Sequence, residues 1–341
     1  MIENLNIKNY RMFRDFNISK LARINLIGGN NNCGKTSFLE AIRLLESKFD
    51  DSVLWDILAS RGDEKGANDK MCLSLCTIGN NDNESHKKII IGNLVLLMRF
   101  DKKNEYIQYI NTYNNDEYER LLLQTKYQSS KKTINEGIFK EFLDREYINN
   151  FRPQSTAWID DVAIYVPFTT ESKKNDEFWK KISLTPREDD VLKILQIIEP
   201  KIKKFNIIEG NGRILIEGED EPRPLKNLGD GANRILTIAL ALVNAKDKVL
   251  LIDEFEVGLH YSVQEQLWDI IFKYAKLWNI QVFVTTHSLD TLRSFSYVSD
   301  RYEGEGQYFR LSKSRQNAEI EAIIYEKETL QTAIDENYEP R

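Results

Sequence analysis

An α/β fold is predicted by three observations. Short apolar runs at Arg23–Ile27, Val249–Ile252 and Ile280–Val284 each stop at polar or acidic residues. Helical patterns follow the first two of them. A glycine-rich loop, Gly28-Gly29-Asn30-Asn31-Asn32-Cys33-Gly34-Lys35-Thr36, joins the first run to its helix.

The elements are read in chain order. Residues 2–7 alternate apolar and polar and predict a strand, with a second near Phe16–Ile18. From Gly29 to Thr36 the loop fits G-x-x-x-x-G-K-[ST], the phosphate-binding loop of nucleoside triphosphatases. Strand, loop and helix make an anion site, because backbone N–H groups and the positive helix end face the phosphates. Lys35 is expected to reach the β- and γ-phosphates and Thr36 to hold Mg2+. The expected nucleotide contacts are therefore Gly29, Asn30, Asn31, Asn32, Cys33, Gly34, Lys35, Thr36 and Ser37, with ATP and Mg2+ as cofactors. Cys33 reads as a small loop residue before it reads as a redox control point, which would need a depressed thiol pKa.

Trp55–Arg61 predicts a helical turn, ended by the polar stretch Gly62–Asp69. Met71–Ile78, Lys88–Phe100 and Glu105–Asn111 are strand-rich and predict an antiparallel β-layer beside the nucleotide core. Tyr118–Tyr127 and Ile138–Tyr147 read as charged helices, Ala163–Phe168 as a core strand stopped by proline, and Asp189–Ile198 as a helix ended at Pro200. Residues 114–204 are thus expected to form an inserted, mainly helical lobe with one core strand. The halves 1–113 and 205–341 form a discontinuous head around it. A hairpin across Gly210-Asn211-Gly212, final strands at Tyr308–Leu311 and Glu319–Tyr325, and a terminal helix or tail from Glu326 complete the reading.

The second half carries the partners that a phosphate loop requires. Val249–Ile252 runs into Asp253-Glu254, so Asp253 is placed to bind Mg2+ through water and Glu254 to orient or deprotonate the attacking water. The next strand ends in Thr285-Thr286-His287-Ser288, a position for a γ-phosphate-sensing His287. Leu228-Gly229-Asp230-Gly231-Ala232-Asn233-Arg234 opens another helix. It reads either as a second anion site or as an ordinary helix start capped by Asp230 or Asn233.

This order of motifs resembles the ABC-class ATPases, and more narrowly the OLD-like and RecF-like branch of DNA repair and phage defence. Ile7–Phe13 is similar to the opening strand-loop of that branch, Leu228–Arg234 to its signature, and Asp253-Glu254-Phe255-Glu256-Val257-Gly258-Leu259-His260 to its Asp-Glu-x-Glu-x-Gly-Leu-His stretch. Tyr261 stands where proline is usual. The resemblance implies an ABC-type head that dimerises around two ATP molecules. Lys35 and Thr36 of one copy would then face Gly229, Asp230 and Gly231 of the other, with Glu254 and His287 as the catalytic pair. Asp230 puts a carboxylate near an expected triphosphate, which implies slow or partner-gated hydrolysis. The glutamine usual between core and lobe is matched only weakly, by Gln154. The resemblance further implies a separate effector, a nuclease or toxin, in an anti-phage system. The alternative is a RecF-like repair ATPase that binds DNA through its lobe.

Bulk properties narrow these readings. The chain has 341 residues, 41% apolar and 29% charged, with a net charge of −6, which argues against general coating of nucleic acid. Lys131-Lys132, Lys173-Lys174, Lys180-Lys181 and Lys201–Lys204 read as solvated faces, or as a nucleic-acid contact if they converge. Cys33, Cys72 and Cys76 make neither a disulfide framework nor a paired zinc motif. With no signal-like N-terminus and no bilayer-length apolar run, a cytoplasmic location is expected.

Overall fold

A computed structural model describes residues 1–48, 50–61, 86–101, 106–113, 116–124, 163–169, 172–314 and 319–336. β1 (Leu5–Tyr10) and β2 (Phe13–Ile18) form a hairpin whose two-residue turn has Arg11 at φ 51°. β3 (Ile24–Gly28) enters the glycine loop, followed by α1 (Lys35–Glu46) and α2 (Asp51–Ser60). The antiparallel strands β4 (His86–Ile91), β5 (Leu94–Asp101), β6 (Tyr106–Tyr113) and β7 (Asp116–Gln124) then extend the hairpin into a six-stranded layer, ordered β2-β1-β4-β5-β6-β7.

β8 (Ala163–Val166) precedes α3 (Ser172–Ile182) and α4 (Arg187–Leu195). β9 (Ile202–Ile208), β10 (Asn211–Ile216) and β11 (Arg223–Pro224) form a small antiparallel sheet. The remaining elements are α5 (Asp230–Asn244), β12 (Val249–Ile252), α6 (Tyr261–Leu277), β13 (Gln281–Thr285), α7 (Leu289–Ser299), β14 (Gly306–Lys313), β15 (Ile320–Tyr325) and α8 (Lys327–Asp335).

The central sheet runs β15-β14-β3-β13-β12-β8 and is parallel except for β15. Its strands are apolar on both sides because both faces are covered. Leu250, Ile252, Val282 and Val284 point into one core with α5, α6 and α7, while Leu251, Phe283 and Phe309 point into a second core with α1, α2, β1 and β2. In that second core Phe38 of α1 meets Phe16, Phe283 and Phe309 edge-on or tilted. The phosphate-loop helix is thereby fixed to sheet and hairpin together. α3 and α4 pack on α5, so β8 and these helices join the head directly.

Two expectations differ from the structure. Tyr118–Tyr127 was expected to be helical, yet residues 116–124 form β7, paired with β6 over its length. Glu, Arg and Leu favour a helix locally, but an open sheet edge supplies every second backbone group with a partner, and tertiary pairing prevails. The β9–β10 turn lies at Glu209-Gly210, with φ 50° and 76°, and Asn211 and Gly212 already belong to β10. Positive φ at both turn residues matches the right-handed strand twist. The expected features at 62–69, 71–78 and 138–147, with Cys72, Cys76, Lys131, Lys132 and Gln154, lie outside the described residues.

Candidate active site

β3, β13 and β12 are parallel neighbours, so their C-terminal ends open at one edge of the sheet. That edge is where α/β sheets hold ligands. β3 delivers the glycine loop, β12 delivers Asp253 and Glu254, and β13 delivers Thr286 and His287. Gly29 has φ 133°, and a side chain there would strike the Leu311 carbonyl oxygen. Gly34, at φ 94°, caps α1 without a side-chain hydrogen bond, and the first turn of α1 carries no acid. The N–H groups of that turn are left for an anion.

Lys35 is 6% exposed. Its Nζ donates to the Gly29 carbonyl at 2.7 Å, the Asn30 carbonyl at 2.9 Å and His287 Nδ1 at 3.3 Å. Burial lowers its pKa, against the pull of Cys33, Asp253, Glu254 and Glu256. Burial likewise pushes the Cys33 thiol up, so Cys33 is a packed residue rather than a poised thiolate.

The Asp253 carboxylate is 1% exposed and is held by hydroxyls. Thr36 donates to Oδ2 at 3.0 Å, Tyr165 to the same oxygen at 3.3 Å, and Thr285 to Oδ1 at 2.6 Å. Burial, and then the Asp253 charge, raise the Tyr165 pKa far above its ordinary value, so the phenol remains a donor. Thr36 and Asp253 offer hard oxygen atoms side by side, which suits Mg2+. Among the described residues no group of three or more His, Cys, Asp or Glu converges on a metal.

Glu254 follows at φ 48°, a left-handed backbone that costs a non-glycine residue about 1–2 kcal/mol. Its N–H donates to Thr285 Oγ1 at 2.8 Å, and its carboxylate Oε1 lies 3.7 Å from His287 Nε2. Glu256 accepts from Thr286 Oγ1 at 2.8 Å and from the His287 N–H at 2.6 Å, fixing the loop that carries the imidazole.

Burial first, and then the Lys35 charge, lower the His287 pKa. The neutral ring accepts from Lys35 at Nδ1 and presents N–H toward Glu254. The unfolded chain takes this proton near about pH 6.5 and the native chain resists it. The stability contributed by neutral His287 is complete above that value and is lost as pH falls from it through the lower native value. His287→Asn is expected to flatten the acid side of the stability profile, checked by unfolding midpoints between about pH 5 and 8.

Gly229 precedes α5 at φ 106° without a side-chain cap, and a Cβ there would meet nothing within 4 Å. Asp230 is the first residue of α5, and its side chain lies outside the described set. Gly231 lies against the backbone of Gly258, and a methyl group on it would run into the Gly258 carbonyl oxygen. Gly231→Ala is therefore expected to destabilise the fold by roughly 1–3 kcal/mol. An unchanged unfolding midpoint would show that the two loops separate freely.

Lys35, Thr36, Asp253, Glu254 and His287 line one cavity of about 950 Å³, whereas Gly229 and Gly231 do not line it. The expected catalytic cluster is thus brought together, and the expected second anion site stands apart from it. Sequence reasoning missed Tyr165, Thr285, Glu256 and Arg234 as neighbours of the cluster. Glu256, Thr285 and Arg234 lay within quoted motifs without a role of their own, and Tyr165 read only as part of a core strand.

Residues 24–293 match the family described as AAA domain, putative AbiEii toxin, Type IV TA system. The chain belongs to this family. It is 24% identical over 331 residues to an ATP/GTP phosphatase of Helicobacter pylori, spanning 87% of this chain and 88% of that protein. It is also similar to an SMC head bound to the C-winged helix domain of ScpA, with TM-score 0.51 and 13% identity over 98% of this chain and 99% of that one. An SMC head with an extended coiled coil, bound to a ScpA C-terminal domain derived from Pyrococcus furiosus, gives TM-score 0.50 and 10% identity, with the same coverage of 98% and 99%. Membership of this AAA family, together with the ABC-type head fold and the phosphate loop, makes the chain a P-loop ATPase. Among the described residues no helix is long and apolar enough to cross a membrane.

Proposed function

We propose that this ATPase is a dimerisation switch in which two copies close around two ATP molecules. The observation that carries the reading is the separation just described. Lys35, Thr36, Asp253, Glu254 and His287 line the cavity, while the glycines of the signature do not line it. A second copy can supply Gly229 and Gly231 to that cavity, and α5 would present its capless N-terminus to the γ-phosphate.

Each residue then has a role. The N–H groups from Gly29 to Thr36 bind phosphate, and Lys35 leaves the loop carbonyls for the β- and γ-oxygens. Thr36 and Asp253 would hold Mg2+, which neutralises charge on the phosphates when bound. Glu254 orients and deprotonates the attacking water, and His287 donates through Nε2 toward the γ-phosphate. ATP and Mg2+ should convert monomer to dimer in light scattering. A mass unchanged by saturating ATP and Mg2+ would refute the sandwich.

Membership of the AbiEii-type family, together with the motif resemblance to OLD-like ATPases, supports a role in anti-phage defence with a separate nuclease or toxin in the cytoplasm. Hydrolysis would be slow or gated by that partner. A pull-down with ATP present tests this, and rapid partner-independent turnover would count against gating. DNA binding through the basic clusters is less well supported, because Lys180 and Lys203 are paired with Asp176 and Glu217.

A further inference from the structure

We propose that Arg234 is a positioning residue that holds Glu254 in its left-handed backbone and makes that hold depend on the placement of α5. The inference rests on the composite-site reading above and adds how signature contact reaches the carboxylate of the same chain.

Arg234 sits one turn into α5 and is 2% exposed. Its guanidinium reaches three backbone carbonyls at the active edge. Nη2 donates to Asp253 O at 2.7 Å and to Glu254 O at 3.2 Å, and Nη1 donates to Pro167 O. These carbonyls directly follow β12 and β8, so one side chain ties the chain beyond the two paired strands together. Burial lowers its pKa to about 10, which leaves it charged at neutral pH.

The grip matters because of what it grips. Glu254 has φ 48°, a conformation that persists only where several contacts dictate it. Thr285 Oγ1 holds its N–H, while Arg234 and the Val257 N–H hold its carbonyl. Removing the arginine leaves one side chain, Thr285, to fix that backbone.

The grip is also attached to the signature. Gly231 and Arg234 are three residues apart on one helix, hence on one face. Gly231 touches the Gly258 backbone, so the first turn of α5 holds the 253–258 turn at two points. A helix moves as a unit, and nucleotide contact at Gly229–Gly231 displaces or steadies Arg234 with it. Lysine cannot replace this arrangement, because a planar fork spans adjacent carbonyls and an ammonium does not.

The test uses Arg234→Lys and Arg234→Met in the full chain. ATP affinity should stay within about twofold of wild type, while kcat falls by roughly 10- to 100-fold, the scale of a displaced catalytic group. Lys should recover part of the loss seen with Met. In the Glu254→Gln background, Arg234→Lys should cost little more, because it acts through the missing carboxylate. Wild-type turnover per subunit should rise with protein concentration, and that of Arg234→Lys should remain flat. An unchanged kcat, a loss confined to KM, or full additivity with Glu254→Gln would overturn the positioning role. If wild-type turnover is itself independent of concentration, the sandwich fails while the kcat comparison still decides the positioning role. Should Met prevent folding, the Lys variant and the double variant carry the test.

Discussion

Glu254→Gln is expected to lower kcat by roughly 10²- to 10⁴-fold, the usual contribution of a positioned base. ATP binding should persist. Glutamine keeps the size of glutamate and one acceptor oxygen, so the left-handed backbone and its Thr285 contact are retained. What disappears is the negative charge 3.7 Å from His287 Nε2 and the capacity to take a proton from water. With hydrolysis blocked, ATP and Mg2+ should hold the dimer long enough to be resolved by size-exclusion chromatography with light scattering. Wild-type turnover in the variant would remove Glu254 from the chemistry. Slow turnover without a trapped dimer would spare the base and refute the sandwich.

Lys35→Met should act earlier, at binding. The ammonium is 6% exposed and already held by two loop carbonyls and His287 Nδ1, all of which it can exchange for phosphate oxygens. A charge-assisted hydrogen bond is worth about 1.5–3 kcal/mol, so the ATP dissociation constant should rise roughly 10- to 150-fold. Folding should survive, because methionine fills the same path and removes a buried charge whose desolvation is unfavourable. Calorimetric titration with ATP measures the first effect and an unfolding midpoint the second. Unchanged affinity would mean that Lys35 serves the loop rather than the nucleotide. The His287 pKa should rise in this variant, since the Lys35 charge is the second cause of its depression, while burial, the first cause, remains.

The sequence made the strand ends legible and left their supports hidden. Lys35, Asp253 and His287 could be placed because each follows an apolar run with distinct punctuation. Three parallel strands then bring such ends to one edge regardless of the intervening chain. Arg234 gave no such sign, because its partners are main-chain carbonyls of residues 167, 253 and 254, and any residue type supplies those. Tyr165 reads as one apolar residue of a core strand, and only the pairing of β8 with β12 turns its hydroxyl onto Asp253. The Glu40 carboxylate, 3% exposed and bonded to Tyr10 and Arg61, was hidden in the same way, since residues from three separate segments meet there. β7 was misread for the related reason that its helix-favouring residues are answered by a strand formed earlier in the chain.

The place of β3 in the central sheet bears on how the protein is made. β3 ends at Gly28, but its hydrogen-bonding neighbours are β13 and β14, which begin only at Gln281 and Gly306. The Gln281 side chain also returns to the backbone of Ile2, bridging 279 positions of sequence. On the ribosome the phosphate loop emerges before β13 and β14 and has no sheet to sit on until they have followed. A prematurely terminated product that stops before β13 would carry the phosphate-loop motif without the strands that hold it. Nucleotide binding therefore has to wait for β13 and β14, and such a fragment should be inert and open to proteolysis. Pairing over so long a separation also makes folding slow, which exposes the apolar strands to aggregation during expression.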